Sequence, residues 1–455
     1  MQTEHAENPH QALLEQRLPA WTHHVTPDHW KALQQALIPA YGFAEQQAPW
    51  FANAAPDLRE AVVASNTRLM HSQRALARSL KGLQQIAEFA EPLLVERLQS
   101  AHHLNVPVRT SELIRIRHLF TWQTYVSQHE RHSLLEAALQ NFADDVSFSP
   151  DSALALTDDI QVSPIKVVGK TTLGDSDTLV DIELESEAYA IKALALSPAD
   201  FAQTCRALDL GQRYQEHLTA MYAPAPIATL AATVYRDQLR LAADLAFMRQ
   251  TLNGIGLDAL QALIDDRTSF NCHQLNLFGL PVHEALIIDS ETSGLLLHLP
   301  GQAYSLRQFH TLRQLHDQLR VDLHDADFRQ HFAAYLPREL QPTFLSRLQQ
   351  NLDGGDLHLT LQAITEPLFS FLHDDHVRRI SAEARLLAVP TLEADEQARK
   401  RRQAHWERVE LDALMLAGFF IPEVGALMLA VTAFQLLDEV FEGYQAWSVG
   451  DRHQA

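Results

Sequence analysis

The chain has 455 residues, with 57 Asp and Glu against 36 Lys and Arg, and a formal net charge of -21 with His neutral. That balance argues against nucleic acid as a partner, because nothing offsets phosphate repulsion over most of the surface. Two cysteines, Cys205 and Cys272, exclude a disulfide framework and a cysteine-based zinc cluster. With 16 scattered Gly and 20 Pro and 46% hydrophobic residues, collagen-like and disordered classes are excluded too.

Histidine is abundant, at 24 residues. Its ordinary pKa lies nearest physiological pH. Protonating all 24 His while every carboxylate stayed ionised would carry the charge from -21 to +3. The composition therefore holds the means of a pH response.

The N-terminus is polar and mixed in charge, with no apolar stretch of the signal-peptide kind. The expectation is synthesis in the cytoplasm without a cleavable signal, and any secretion and delivery to target cells by a signal-independent route. Residues 1–147 read as a helical domain. Thr26 before Pro27 and Asp28 marks a helix start. Leu58, Val62, Leu69, Leu76, Leu80, Leu83, Ile86 and Leu94 recur at helical spacing over 57–100. Pro92 should kink or restart that helix. The reading continues with a helix over 110–141, capped by Ser111.

Residues 148–300 read as a mixed α/β region. Two or three short strands with polar turns are expected near 160–186. Helices resume at Pro198, capped by Ser197, and run to about Arg267. A second β stretch covers 273–299, with a hairpin joining Ala285–Asp289 to Leu295–Leu299. Residues 301–410 read as helical, broken near Pro337, Gly354–Gly355 and Pro390. The expected fold class is mainly α (α+β), with small β insertions.

Residues 411–455 form a hydrophobic helical hairpin and tail in this reading. From Ala413 to Leu437 the only charge is Glu423. That stretch could span a bilayer as one helix, but Pro422 and Gly425 interrupt it. A kinked span, a shallow hairpin and a pair of buried core helices all fit. The membrane-insertion candidates are Asp412, Phe419, Phe420, Pro422, Glu423, Gly425, Asp438 and Glu439. Arg399, Lys400, Arg401 and Arg402 form the one basic cluster. They fit either a solvated helix face or an anchor beside an anionic membrane.

No catalytic constellation stands out, so catalytic residues are unknown and enzyme activity is not the preferred reading. There is no G-x-S-x-G, no P-loop and no G-x-G-x-x-G. No cofactor and no metal are assigned. His373-Asp374-Asp375-His376 has metal-like composition, but a polar helix surface accounts for it and is preferred. Cys205 and Cys272 read as small buried residues. Asn253-Gly-Ile-Gly256 reads as a turn between helices.

Several stretches together resemble the N-terminal region of very large bacterial proteins described as dermonecrotic-toxin-like. They are Leu18-Pro-Ala-Trp21, Phe89-Ala-Glu-Pro-Leu-Leu94, and Cys205-Arg-Ala-Leu-Asp-Leu-Gly211 with Tyr214-Gln215 and His217-Leu218. Leu299-Pro-Gly301, Ala384–Thr391 and Ile421-Pro-Glu-Val-Gly425 follow, with Met428–Ala430, Gln435–Leu437, Glu442-Gly443 and Trp447 last. The resemblance implies a helix-rich toxin segment preceding effector domains, in a truncated or short member. It carries over no catalytic residue. The resulting expectation is a non-enzymatic delivery or translocation module that meets a membrane through 411–437. The alternative is a soluble scaffold that binds a chaperone, a secretion component or a C-terminal effector domain. An enzyme whose site only a folded pocket would reveal is the third reading.

Overall fold

A computed structural model describes residues 51, 53–120, 125–172, 179–302 and 304–394. The segment 411–437, the flanking Asp438 and Glu439, the basic cluster Arg399–Arg402 and the helix start at Pro27 lie outside the described residues.

Helix α1 (Pro56–Ser79) buries Val62, Leu69 and Leu76, a stripe at seven-residue spacing that faces the core. The chain turns at Leu80–Gln85 and α2 (Ile86–His102) begins. The expected restart therefore falls before Ile86, and Pro92 lies inside α2 without ending it.

The helix expected over 110–141 is not there. Residues Ser111–Phe120 form β1 and Tyr125–Ser133 form β2, paired antiparallel from Glu112↔Ser133 to Phe120↔Tyr125. Ser111 looks like a cap by residue type alone. The true helix start is Ser133, whose hydroxyl accepts from Glu136 N while Glu136 reaches back to Ser133 N. This Ser-x-x-Glu box opens α3 (Leu134–Gln140), which is short and almost wholly buried.

The two or three short strands expected near 160–186 are two long ones, β3 (Ala153–Thr172) and β4 (Leu179–Ala193). They complete an antiparallel sheet in the order β2-β1-β3-β4. Helices then run as expected: α4 (Pro198–Leu208), capped by Ser197, then α5 (Leu210–Tyr222), α6 (Ala225–Met248) and α7 (Gly254–Ile264). Asn253 caps α7 by accepting from Gly256 N, which is the turn read from the sequence. Helix α6 is the axis of the helical part. It buries residues on most of its circumference, and α1 packs along it with Ser65 donating to Asp244 at 2.5 Å.

The second sheet has the order β8-β7-β6-β5-β9, all antiparallel. Its strands are β5 (Asn271–Leu277), β6 (Leu280–Ser290), β7 (Gly294–His298), β8 (Leu306–Phe309) and β9 (Thr360–Ala363). The expected hairpin is present, closed at Ser290↔Gly294. Gly294 has φ +78°, a backbone setting that favours glycine. Between and after these strands lie α8 (Leu312–His324), α9 (Ala326–Ala333), α10 (Gln341–Asn351) and α11 (Leu368–Leu387).

This sheet is covered on both faces. Leu286, Ile288 and Leu296 join the core built on α6 and α11. Ile287, Leu295 and Leu297 join a second core with Leu315, Phe332 and Phe344 of α8, α9 and α10. Successive strand residues point to opposite faces, so two covered faces demand unbroken apolar runs such as Ala285–Ile288. The fold class is therefore a correction. Two antiparallel sheets of four and five strands stand beside the helices, and the protein is mixed α/β rather than mainly α.

Candidate functional site: a buried ionic latch

The interface between α11 and β6 holds a cluster of charged and titratable groups. Strand β6 is irregular against β5: Gln274 pairs with Leu286 and Asn276 with Pro281, so β6 carries extra residues there. Glu284 sits in that bulge at φ +62°. A regular strand would send adjacent residues to opposite faces. The bulge instead aims both His283 and Glu284 at one helix, the kind of redirection that bulges provide.

His283 Nδ1 lies 2.9 Å from Asp375 Oδ2. Arg378 donates to Asp375 Oδ1 at 3.2 Å. Glu284 Oε1 lies 3.3 Å from His376 Nδ1 and 3.1 Å from Arg379 Nη2. The groups at 375, 376, 378 and 379 share one side of α11, since residues three and four apart are helix neighbours. Burial alone would push the Glu284 carboxyl up. The His376 hydrogen bond and the Arg379 charge outweigh it and hold the group below its ordinary value. Asp375 follows the same pattern, with burial overcome by His283 and Arg378.

Asp375 is 2% exposed and His376 1%. The preferred polar-surface reading of His373-Asp374-Asp375-His376 is thus overturned: only Asp374 is exposed. The sequence could not show this, because the partners lie 92 residues away. A signal was nonetheless present. His283-Glu284 interrupts an otherwise apolar strand, and a charged pair there needs partners to be buried. Among the described residues no group of three His, Cys, Asp or Glu is arranged to hold a metal ion.

Beside the latch is a cavity of about 10 Å³, the space of one water. Tyr235 and Gln238 of α6, Glu284 of β6 and His298 of β7 line its polar part. Burial pulls the His298 imidazole down to about 4, against a smaller upward pull from Glu284. Its buried Nε2 has no hydrogen-bond partner among the described residues. Burial also lowers His373, which packs 6.3 Å from the Tyr222 ring. Both cysteines are buried thiols, with Cys205 raised by burial and Cys272 raised to about 11.

A profile of the dermonecrotic toxin N-terminal domain matches residues 80–339, more than half of the chain. The chain belongs to that family. No curated protein matches it. Within the dermonecrotic toxin N-terminal domain, the motif residues meet in space. Tyr214 donates to Gln84 O at 3.0 Å, Gln84 N donates to His217 at 3.2 Å, and Phe89 stacks on His217. Asp209, at φ +47°, ends α4 and caps α5.

The stretch Ala388–Thr391 is strapped across this region. Val389 N donates to Leu139 O, Asn141 donates to Val389 O and Thr391 Oγ1, and Thr391 N donates to Asp209 Oδ1. Gly211 is needed because a Cβ there would stand 2.3 Å from Pro390 N and Val389 C. The matched span contains His283, Glu284 and His298, whereas Asp375 and His376 lie beyond it. The latch therefore ties the family domain to the helix that follows.

Proposed function

We propose that this chain is the delivery module of a bacterial toxin, built to loosen when the surroundings turn acid. The observation that carries it is a pair of buried histidines, His298 of β7 and His373 of α11, both lowered by burial. Histidines held neutral by burial oppose folding once the unfolded or opened state can protonate. Loosening of α11 would free the chain that follows it, where the apolar run Ala413–Leu437 and the cations Arg399–Arg402 are found. Protonation of Asp412, Glu423, Asp438 and Glu439 would lower the cost of entering hydrocarbon, a few kcal/mol per charge.

The test is dye leakage from anionic liposomes between pH 7 and 4.5, with the whole chain and with 411–437 deleted. Leakage should begin below about pH 6 and disappear with the deletion. Leakage absent at every pH, or unaffected by the deletion, sinks the reading. The soluble scaffold is the second reading; among the described residues, which do not include 411–437, no helix is long and apolar enough to cross a membrane. Pull-down of a chaperone or effector domain at neutral pH, without leakage, would favour it.

A further inference from the structure

Strands β3 and β4 make a ribbon that leaves its own sheet. Strand β1 pairs with β3 only from Ser111↔Leu156 to Ile114↔Ala153. Beyond that root β3 has four residues between the pairs Ala155↔Ala193 and Ile160↔Ile191, where β4 has one, Lys192. Past this irregularity the ribbon runs in unbroken register from Ile160↔Ile191 to Thr172↔Leu179. Among the described residues neither of its edges is paired along this length. Open edges of this kind are templates for another strand, and a lone two-stranded ribbon is marginal in water.

The charges along it are sorted by strand. From 160 to 172, β3 carries Lys166 and Lys170 and no acid. From 179 to 190, β4 carries Asp181, Glu183, Glu185 and Glu187 and no base. The register sets Lys166 opposite Glu185 and Lys170 opposite Asp181. By strand alternation these six residues occupy register positions of one face. The other face, with Ile165, Val167, Ile182 and Leu184, has none between 161 and 171 or between 180 and 190.

We propose that the ribbon is an oligomerisation element, joining copies of this chain edge to edge with β4 of one copy against β3 of the next. That order continues the alternation of acidic and basic strands. Pairing β4 with β4, or β3 with β3, would set like charges opposite each other, which is destabilising. The contact is head to tail, so it closes into a ring or extends. The assembled sheet has one charged and one uncharged face. No membrane is needed, so the proposal stands or falls apart from the delivery reading.

The test mixes whole chains labelled with ¹⁴N and ¹⁵N, followed by a zero-length carbodiimide cross-linker and mass spectrometry. Mixed-isotope peptides joining Lys166 or Lys170 to Glu183, Glu185 or Glu187 are expected, with a species heavier than the monomer in sedimentation. K166E/K170E and D181K/E185K should each weaken association at least about tenfold. Their equimolar mixture should regain it, because the acidic β4 of the first then meets the basic β3 of the second. Only same-isotope cross-links with a monomer throughout would overturn the proposal. So would variants that assemble like the parent, or well-folded variants whose mixture stays apart. If a variant fails to fold, the isotope experiment on the parent chain decides.

Discussion

The five-stranded sheet is covered on both faces, by α6 and α11 on one side and by α8, α9 and α10 on the other. The four-stranded sheet is held at its root, where Leu113 and Leu154 join the helical core and Ile114, Ile116 and Ala155 form a small cluster on the other side, with Ile160 and Ile191 against it. Beyond that root its two hairpins diverge. Both regions are antiparallel and both contain bulges, yet the bulges serve opposite ends. In β6 the bulge brings His283 and Glu284 inward to meet α11. In β3 it falls where the strand runs past the first residue of β1. Charge follows the same division: the inner sheet hides paired charges against a helix, and the ribbon sorts its charges by strand.

The largest expected difference lies in hydrogen exchange. Amides of 286–297 should exchange only through global opening, at about 5 kcal/mol or more, and those of 161–171 and 180–190 through much cheaper local opening. Equal protection in both regions would break the comparison. Next in size is Glu284→Ala, which strands Arg379 and His376 in the interface. It should cost about 3–5 kcal/mol in a urea titration, the range for removing one partner of a buried pair. Glu185→Ala removes one cross-strand charge pair from the ribbon and should cost about 0.2–1 kcal/mol.

Acid should act on the covered region first. His298 is neutral in the fold down to about 4, while the unfolded chain binds a proton below 6.5. Stability therefore falls as pH drops from 6.5 toward 4, by about 2–3 kcal/mol at pH 4.5 from this group. Replacing His298 with Gln should flatten the pH dependence of the urea midpoint. An undiminished slope would remove His298 from the account. The lowered carboxyls act in a separate window. Glu284 and Asp375 stabilise the fold above their ordinary values of 4.5 and 3.8, and that contribution is lost as pH falls through their lower folded values. Gly211→Ala should destabilise the packing of the strap on α5. The new methyl meets backbone of the strap, and overpacking of this sort costs about 1–3 kcal/mol. A thermal midpoint unchanged by it would show that Ala388–Thr391 shifts freely.

Local rules carried the sequence reading where one segment contains its own signals. Ser197 before Pro198 marks a helix start whatever surrounds it. The leucine spacing of α1 and the turn between Ser290 and Gly294 are likewise self-contained. The same rules failed at 110–141, where Ser111 satisfies a cap by type and the apolar spacing fits either period. What settled it there was pairing: β1 finds β2 on one side and β3 on the other. Residue order and charge also sufficed for the family resemblance, the acidic balance and the excess of histidine.

Only the tertiary structure decided that Asp375 and His376 are buried, because their partners arrive from a strand 92 residues distant and through a bulge that no local pattern encodes. Composition and periodicity report what a segment can bury. Which neighbour comes to cover it depends on the packing of the whole chain.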